Sequence, residues 1–172
     1  MPSYQVFSFP DVSQHLRDKA CRCAENLFSR SGCPDGDVAL ILFPCDKAGA
    51  TVVHRDERTV PKEVRGLTGA RYVVFVPTAL LVWEPELVEA TLAHELGHVA
   101  LGHCDKRAYW FLTPFLRRFQ LTRLFLLRKE MAADRWAARL GYAEGLREVL
   151  RRLLRQKWSL PGAVRLWLLR RG

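Results

Sequence analysis

The segment Leu92-Ala93-His94-Glu95-Leu96-Gly97-His98 constrains this chain more than any other stretch, because it sets two imidazoles and a carboxylate on one run of helical character. Pro85 suits the first turn of that helix, and Glu84, Glu86 and Glu89 are favourable near its positive end. The helix is expected to continue to about Gly102. Residues four apart share a helical face, so His94 and His98 can offer their rings to a single ion. Glu95 then lies beside the open coordination position, where a carboxylate can take a proton from a metal-activated water. Taken alone, the pattern fits two exposed histidines flanking an ordinary carboxylate equally well.

A third ligand changes the reading. Zinc centres that activate water have three protein ligands and keep a fourth position open. Glu130-Met131-Ala132-Ala133-Asp134 lies on another predicted helix, from about Arg128 to Leu140, with Gly141 as its terminator. Glu130 and Asp134 face the same way. Glu130 can bind the metal while Asp134 accepts the other ring N–H of a ligating histidine. The competing account is a solvated acidic face, but Ala132, Ala133, Ala137 and Ala138 suggest close helix packing. Acids are also scarce here: residues 105–172 carry seventeen Lys/Arg against five Asp/Glu, whereas residues 1–104 carry ten against thirteen. Such a basic half can attract anionic lipid headgroups, an acidic partner or, as a weaker expectation, nucleic acid; solvated helix faces are the alternative.

The remaining pattern reads as α+β. Val12 to Ser29 has helical spacing of apolar residues, with Asp11 or Ser13 as cap. Val38 to Phe43 is a short apolar run suited to a buried strand, Ala50 to His54 a weaker one, and Lys62 to Gly69 reads as loop. Arg71 to Val76 is the clearest strand, stopped by Pro77, with a helical turn through Leu81. Ala143 to Lys157 is helical, and after Pro161-Gly162 comes a short basic amphipathic tail with Val164, Leu166, Trp167 and Leu168. A chain of 172 residues is expected to be one domain: helix and sheet over 1–84, active-site helices over 85–142, and basic helices over 143–172.

No secretory pattern opens the chain, and Arg117, Arg118, Arg123 and Pro114 interrupt its most apolar stretch, Ala108 to Leu127. A cytoplasmic protein is expected, with possible peripheral attachment to the inner face of a membrane. The aromatic residues Trp110, Phe111, Phe115, Phe119 and Phe125, interleaved with arginines, fit either an interfacial helix or a core stripe. Cys21, Cys23, Cys33, Cys45 and Cys104 read as free thiols, a four-thiolate zinc site being the weaker alternative. His15 and His54 read as surface residues.

Ala93-His94-Glu95-Leu96-Gly97-His98-Val99, with His103 five residues on, resembles the active-site helix of gluzincins of the HtpX and CAAX prenyl endopeptidase type. Glu130-Met131-Ala132-Ala133-Asp134 followed by Leu140-Gly141-Tyr142 is similar to that family's ExxAD segment and its continuation, and Ser159-Leu160-Pro161 with Arg165 is loosely similar to its C-terminal region. The resemblance covers about residues 71–145. It implies a zincin-like fold and a metalloendopeptidase with one Zn2+ held by His94, His98 and Glu130. A protein or peptide substrate would lie extended along an edge strand, for which Arg71 to Val76 is the candidate. Glu95 is the expected general base. His103 is expected to tune the site or simply to face solvent; Tyr142 and Arg165 are candidates for oxyanion stabilisation or for buried and capping roles. The alternatives are a regulatory peptidase of one partner and a non-catalytic adaptor with a structural metal.

Overall fold

The computed structural model describes residues 4–31, 37–104 and 122–170. The architecture is α+β, with a four-stranded mixed sheet and a predominantly helical second half. Strand β1 (Tyr4–Ser8) leads into helix α1 (Gln14–Ser31), followed by β2 (Val38–Phe43), β3 (Thr51–His54) and a short helix α2 (Lys62–Leu67). Then come β4 (Tyr72–Pro77), the single turn α3 (Thr78–Leu81) and the long helix α4 (Pro85–Ala100). Beyond it lie α5 (Thr122–Ala137), a π turn (Ala138–Tyr142), α6 (Ala143–Gln156) and α7 (Leu160–Leu169).

The spatial order is β1-β2-β4-β3, with β1, β2 and β4 parallel and β3 antiparallel to β4. Alternation along each strand divides the side chains between two faces. Leu40, Leu42, Val74 and Val76 pack against α1 and α4, while Ile41 and Val73 meet Val60 and Val64 on the opposite face. That second contact explains a departure from expectation. Lys62 to Gly69 reads as loop because its pattern is polar, yet Val64 is buried against the sheet and organises a turn and a half of helix around it. β1 has no strong strand signal either; pairing with β2 supplies its ladder partners.

A second correction concerns the sheet edge. β4, the proposed edge, is interior, flanked by β2 and β3, so both rows of its backbone groups face neighbouring strands. The edges are β1 and β3. Strong strand propensity identifies a central strand here, because β-branched residues do best where both faces are covered.

Helix α4 is buried from Leu87 to Gly97, which makes it the axis of the molecule. Two glycines let other helices approach it. A Cβ on Gly97 would stand 3.0 Å from the Ala133 carbonyl oxygen of α5, and one on Gly145 of α6 would stand 2.7 Å from Ala90 Cβ. Among the described residues helix α5 already runs from Thr122, six residues before its expected start at about Arg128. The expected C-terminal tail is the helix α7, capped by Ser159 Oγ accepting from the Gly162 N–H at 3.3 Å. Its inner face carries Arg165 and Leu169, while Leu160 and Trp167 are exposed. Among the described residues no helix is long and apolar enough to cross a membrane.

Candidate metal centre

His94 and His98 stand one turn apart on α4, and their Nε2 atoms converge to 3.2 Å. Glu130 reaches them from α5, with Oε2 3.3 Å from His94 Nε2 and Oε1 3.4 Å from His98 Nε2. This approach depends on Gly97, which lies between the two histidines in sequence and faces Ala133, one turn on from Glu130. One ligand atom from each of the three residues falls within 4.8 Å of the others, the only such metal-holding group among the described residues. Two imidazoles and a carboxylate at this spacing suit a borderline divalent cation. Glu130 is 37% exposed at its side chain and Asp134 only 3%, so solvent reaches the cluster from the Glu130 side.

Each imidazole is also held from behind. Asp134 Oδ1 lies 2.9 Å from His94 Nδ1. His103 Nδ1 lies 2.9 Å from His98 Nδ1. His103 gets there through the end of α4: Gly102 takes a positive φ of 65° and the His103 N–H bonds the His98 carbonyl at 2.8 Å, folding the ring back over the last helical turn. Lys129 Nζ, next to Glu130, donates to the His103 carbonyl at 3.2 Å and pins this turn to α5. His103 is therefore a partner of His98 and not a solvent-facing residue. Burial, with His98 and Lys129 nearby, depresses its pKa to about 4, leaving a neutral ring that is able to accept from His98.

Arg165 of α7 completes the arrangement. Its Nε and Nη2 each lie 2.7 Å from Asp134 in a two-pronged contact, and Nη1 lies 2.8 Å from Glu130 Oε2. Nη2 also stands 3.4 Å from both ring nitrogens of His94. Burial opposes ionisation of Asp134, but Arg165 and His94 outweigh it and hold the carboxyl below its usual range. Glu130 is depressed likewise, burial being overcome by both histidines and Arg165. Burial also disfavours a charged His94, yet Asp134 and Glu130 raise its pKa to about 9.

Glu95, beside the ring cluster, reaches the sheet edge, where its Oε2 accepts from the Val52 N–H of β3 at 2.9 Å. Burial raises its pKa, and the charges of His94 and His98 oppose that rise. Tyr142 is elsewhere: its hydroxyl donates to Glu89 Oε2 at 3.2 Å while Asn26 donates to Glu89 Oε1 at 3.0 Å, so it caps a buried carboxylate between α1 and α4. His54, read as a surface residue, is half-buried, accepts from the Asp56 N–H at 3.2 Å and packs edge-on against Tyr72. His15 is exposed. Cys21, Cys23, Cys45 and Cys104 carry reduced thiols and Cys33 lies outside the described residues. Most of the aromatic stretch 108–127 lies outside them too; within it, Phe125 stacks under Lys129.

Sequence reasoning missed the Val52 N–H and Lys129, and assigned Arg165 no acidic partner. Backbone donors leave no trace in residue type, whereas a lone lysine directly before Glu130 was a readable signal. Comparison with known proteins adds nothing to the geometry: no family model, no curated protein and no solved structure matches this chain.

Proposed function

We propose that this chain is a zinc-dependent endopeptidase of zincin-like fold, with His94, His98 and Glu130 as the metal ligands. The observation that carries the reading is the convergence of these three donors from two helices, with the Glu130 side of the cluster reached by solvent. The similarity of His94-Glu95-Leu96-Gly97-His98 and Glu130-Met131-Ala132-Ala133-Asp134 to gluzincin segments supports it. Zinc bound there would supply the Lewis acidity that makes water a nucleophile near neutral pH.

The chain's own residues divide the remaining work. Glu95 takes the proton from the attacking water and later returns it to the leaving amine. Burial raises its pKa, which suits a group that must both accept and release a proton. Asp134 and His103 fix the ring orientations of His94 and His98. Arg165 balances two buried or half-buried carboxylates. A substrate backbone pairs with the free edge of β3, beside the Val52 N–H that holds Glu95, and not with β4.

Metal analysis combined with digestion of an unstructured protein tests this. Wild type binds one zinc and cleaves; Glu95→Gln keeps the metal and loses activity by at least about a hundredfold. Glu130→Ala and His98→Ala lose metal. Normal turnover in Glu95→Gln would remove the general base, and full zinc in Glu130→Ala would remove the third ligand.

A further inference from the structure

Beside Arg165, α5, α6, α7 and the π turn line a half-open cavity of about 400 Å³. Its wall is largely apolar, with Met131, Ala138, Ala143 and Leu168 contributing. Arg135 and Arg139 stand at it one helical turn apart, both exposed, and neither has an ion-pair or hydrogen-bond partner among the described residues. The other two arginines of the wall are engaged: Arg147 with Glu144 and the Leu169 carbonyl, Arg165 with Asp134 and Glu130. Pockets of this volume that are apolar, with a few convergent polar groups, are the usual form of a small-ligand site. The two unengaged guanidinium groups add the one specific demand, a planar anion.

We propose that this cavity binds an apolar group carrying a carboxylate, with the apolar part against Met131, Ala138 and Leu168 and the carboxylate on Arg135 and Arg139. A free fatty acid and the C-terminal residue of a peptide both present that chemistry. The site does not depend on the zinc reading, because neither Arg135 nor Arg139 touches the histidine cluster. Its wall shares Asp134 and Arg165 with the metal centre, so an occupant lies beside the guanidinium that holds Glu130.

The test is calorimetric titration of the full chain, with and without a chelator, against four probes. These are decanoate, decanol, an acetylated pentapeptide ending in a free leucine carboxylate, and the same peptide as its amide. Binding of decanoate, of the peptide acid or of both, at least about tenfold tighter than the uncharged counterpart and unaffected by chelation, is the expected result; the acid that binds identifies the source. Arg135→Gln/Arg139→Gln should weaken it by about tenfold or more while the circular dichroism spectrum stays unchanged, as both side chains are exposed. No binding of either acid at millimolar concentration, equal binding of acid and neutral probe, or unaltered affinity in the double variant overturns the proposal. Loss of binding on chelation does so as well, by moving the ligand to the metal centre. Absence of proteolysis leaves every one of these readouts intact.

Discussion

At the scale of single residues, the ring of His103 illustrates how a short contact gains meaning from what holds it. An imidazole 2.9 Å from another imidazole is productive only if one donates and one accepts. Burial and neighbouring positive charge keep His103 neutral, so it can take the acceptor role and hold the His98 ring with its Nε2 toward Glu130. Partners of this kind alter metal affinity by about ten- to a hundredfold. We therefore expect His103→Ala to retain zinc in that proportion more weakly, and His103→Asn, whose side-chain oxygen can still accept, to recover part of the loss. Competition with a zinc-chelating dye measures both; identical affinities for all three proteins would show that His103 is a bystander.

At the scale of elements, the site is a consequence of how closely three helices cross. Gly145 allows α6 to sit on α4 at Ala90, where an added Cβ would lie 2.7 Å from an existing methyl group with no flexible chain to yield. Gly145→Ala is expected to cost about 1–3 kcal/mol of stability, seen in denaturant unfolding, with little change in metal affinity. Gly97→Ala meets the α5 backbone at 3.0 Å and pushes apart the two helices that carry the ligands. Its effect should fall on zinc affinity more than on the unfolding midpoint. If the two variants lose affinity and stability in the same ratio, the crossing at Gly97 has no special relation to the centre.

At the scale of the whole molecule, the centre joins the α4 axis to the basic C-terminal half, so folding and protonation are linked. His94 has a folded pKa of about 9, above its usual value of about 6.5. A raised histidine pKa stabilises the folded state fully below the unfolded value, and this contribution is lost as pH climbs through the folded one. The metal-free protein should therefore lose thermal stability between about pH 6.5 and 9. His94→Gln should lack that slope. With zinc bound the dependence should reverse, because the metal needs the deprotonated ring and its affinity rises with pH. Melting curves by circular dichroism, with chelator and with zinc, decide it; a flat metal-free profile would show that the Asp134 contact does not stabilise the charged ring.

The sequence by itself determined what depends on spacing along one element. A four-residue interval puts His94 with His98, and Glu130 with Asp134, on common helical faces whatever surrounds them. The apolar runs at Val38 and Tyr72 were legible as strands for the same local reason, and so was Gly141 as the end of a helix, where φ is 94°. Only the tertiary structure decided which element meets which. Strand order set β3 and not β4 at the edge beside Glu95, because pairing is a relation between distant segments that strand propensity does not encode. Packing carried Tyr142 to Glu89 and Arg165 to Asp134, across 53 and 31 residues. The helix whose five-residue motif first limited the chain thus owes its rings to local geometry, and the partners that hold those rings to the close crossing at Gly97 and the turn at Gly102.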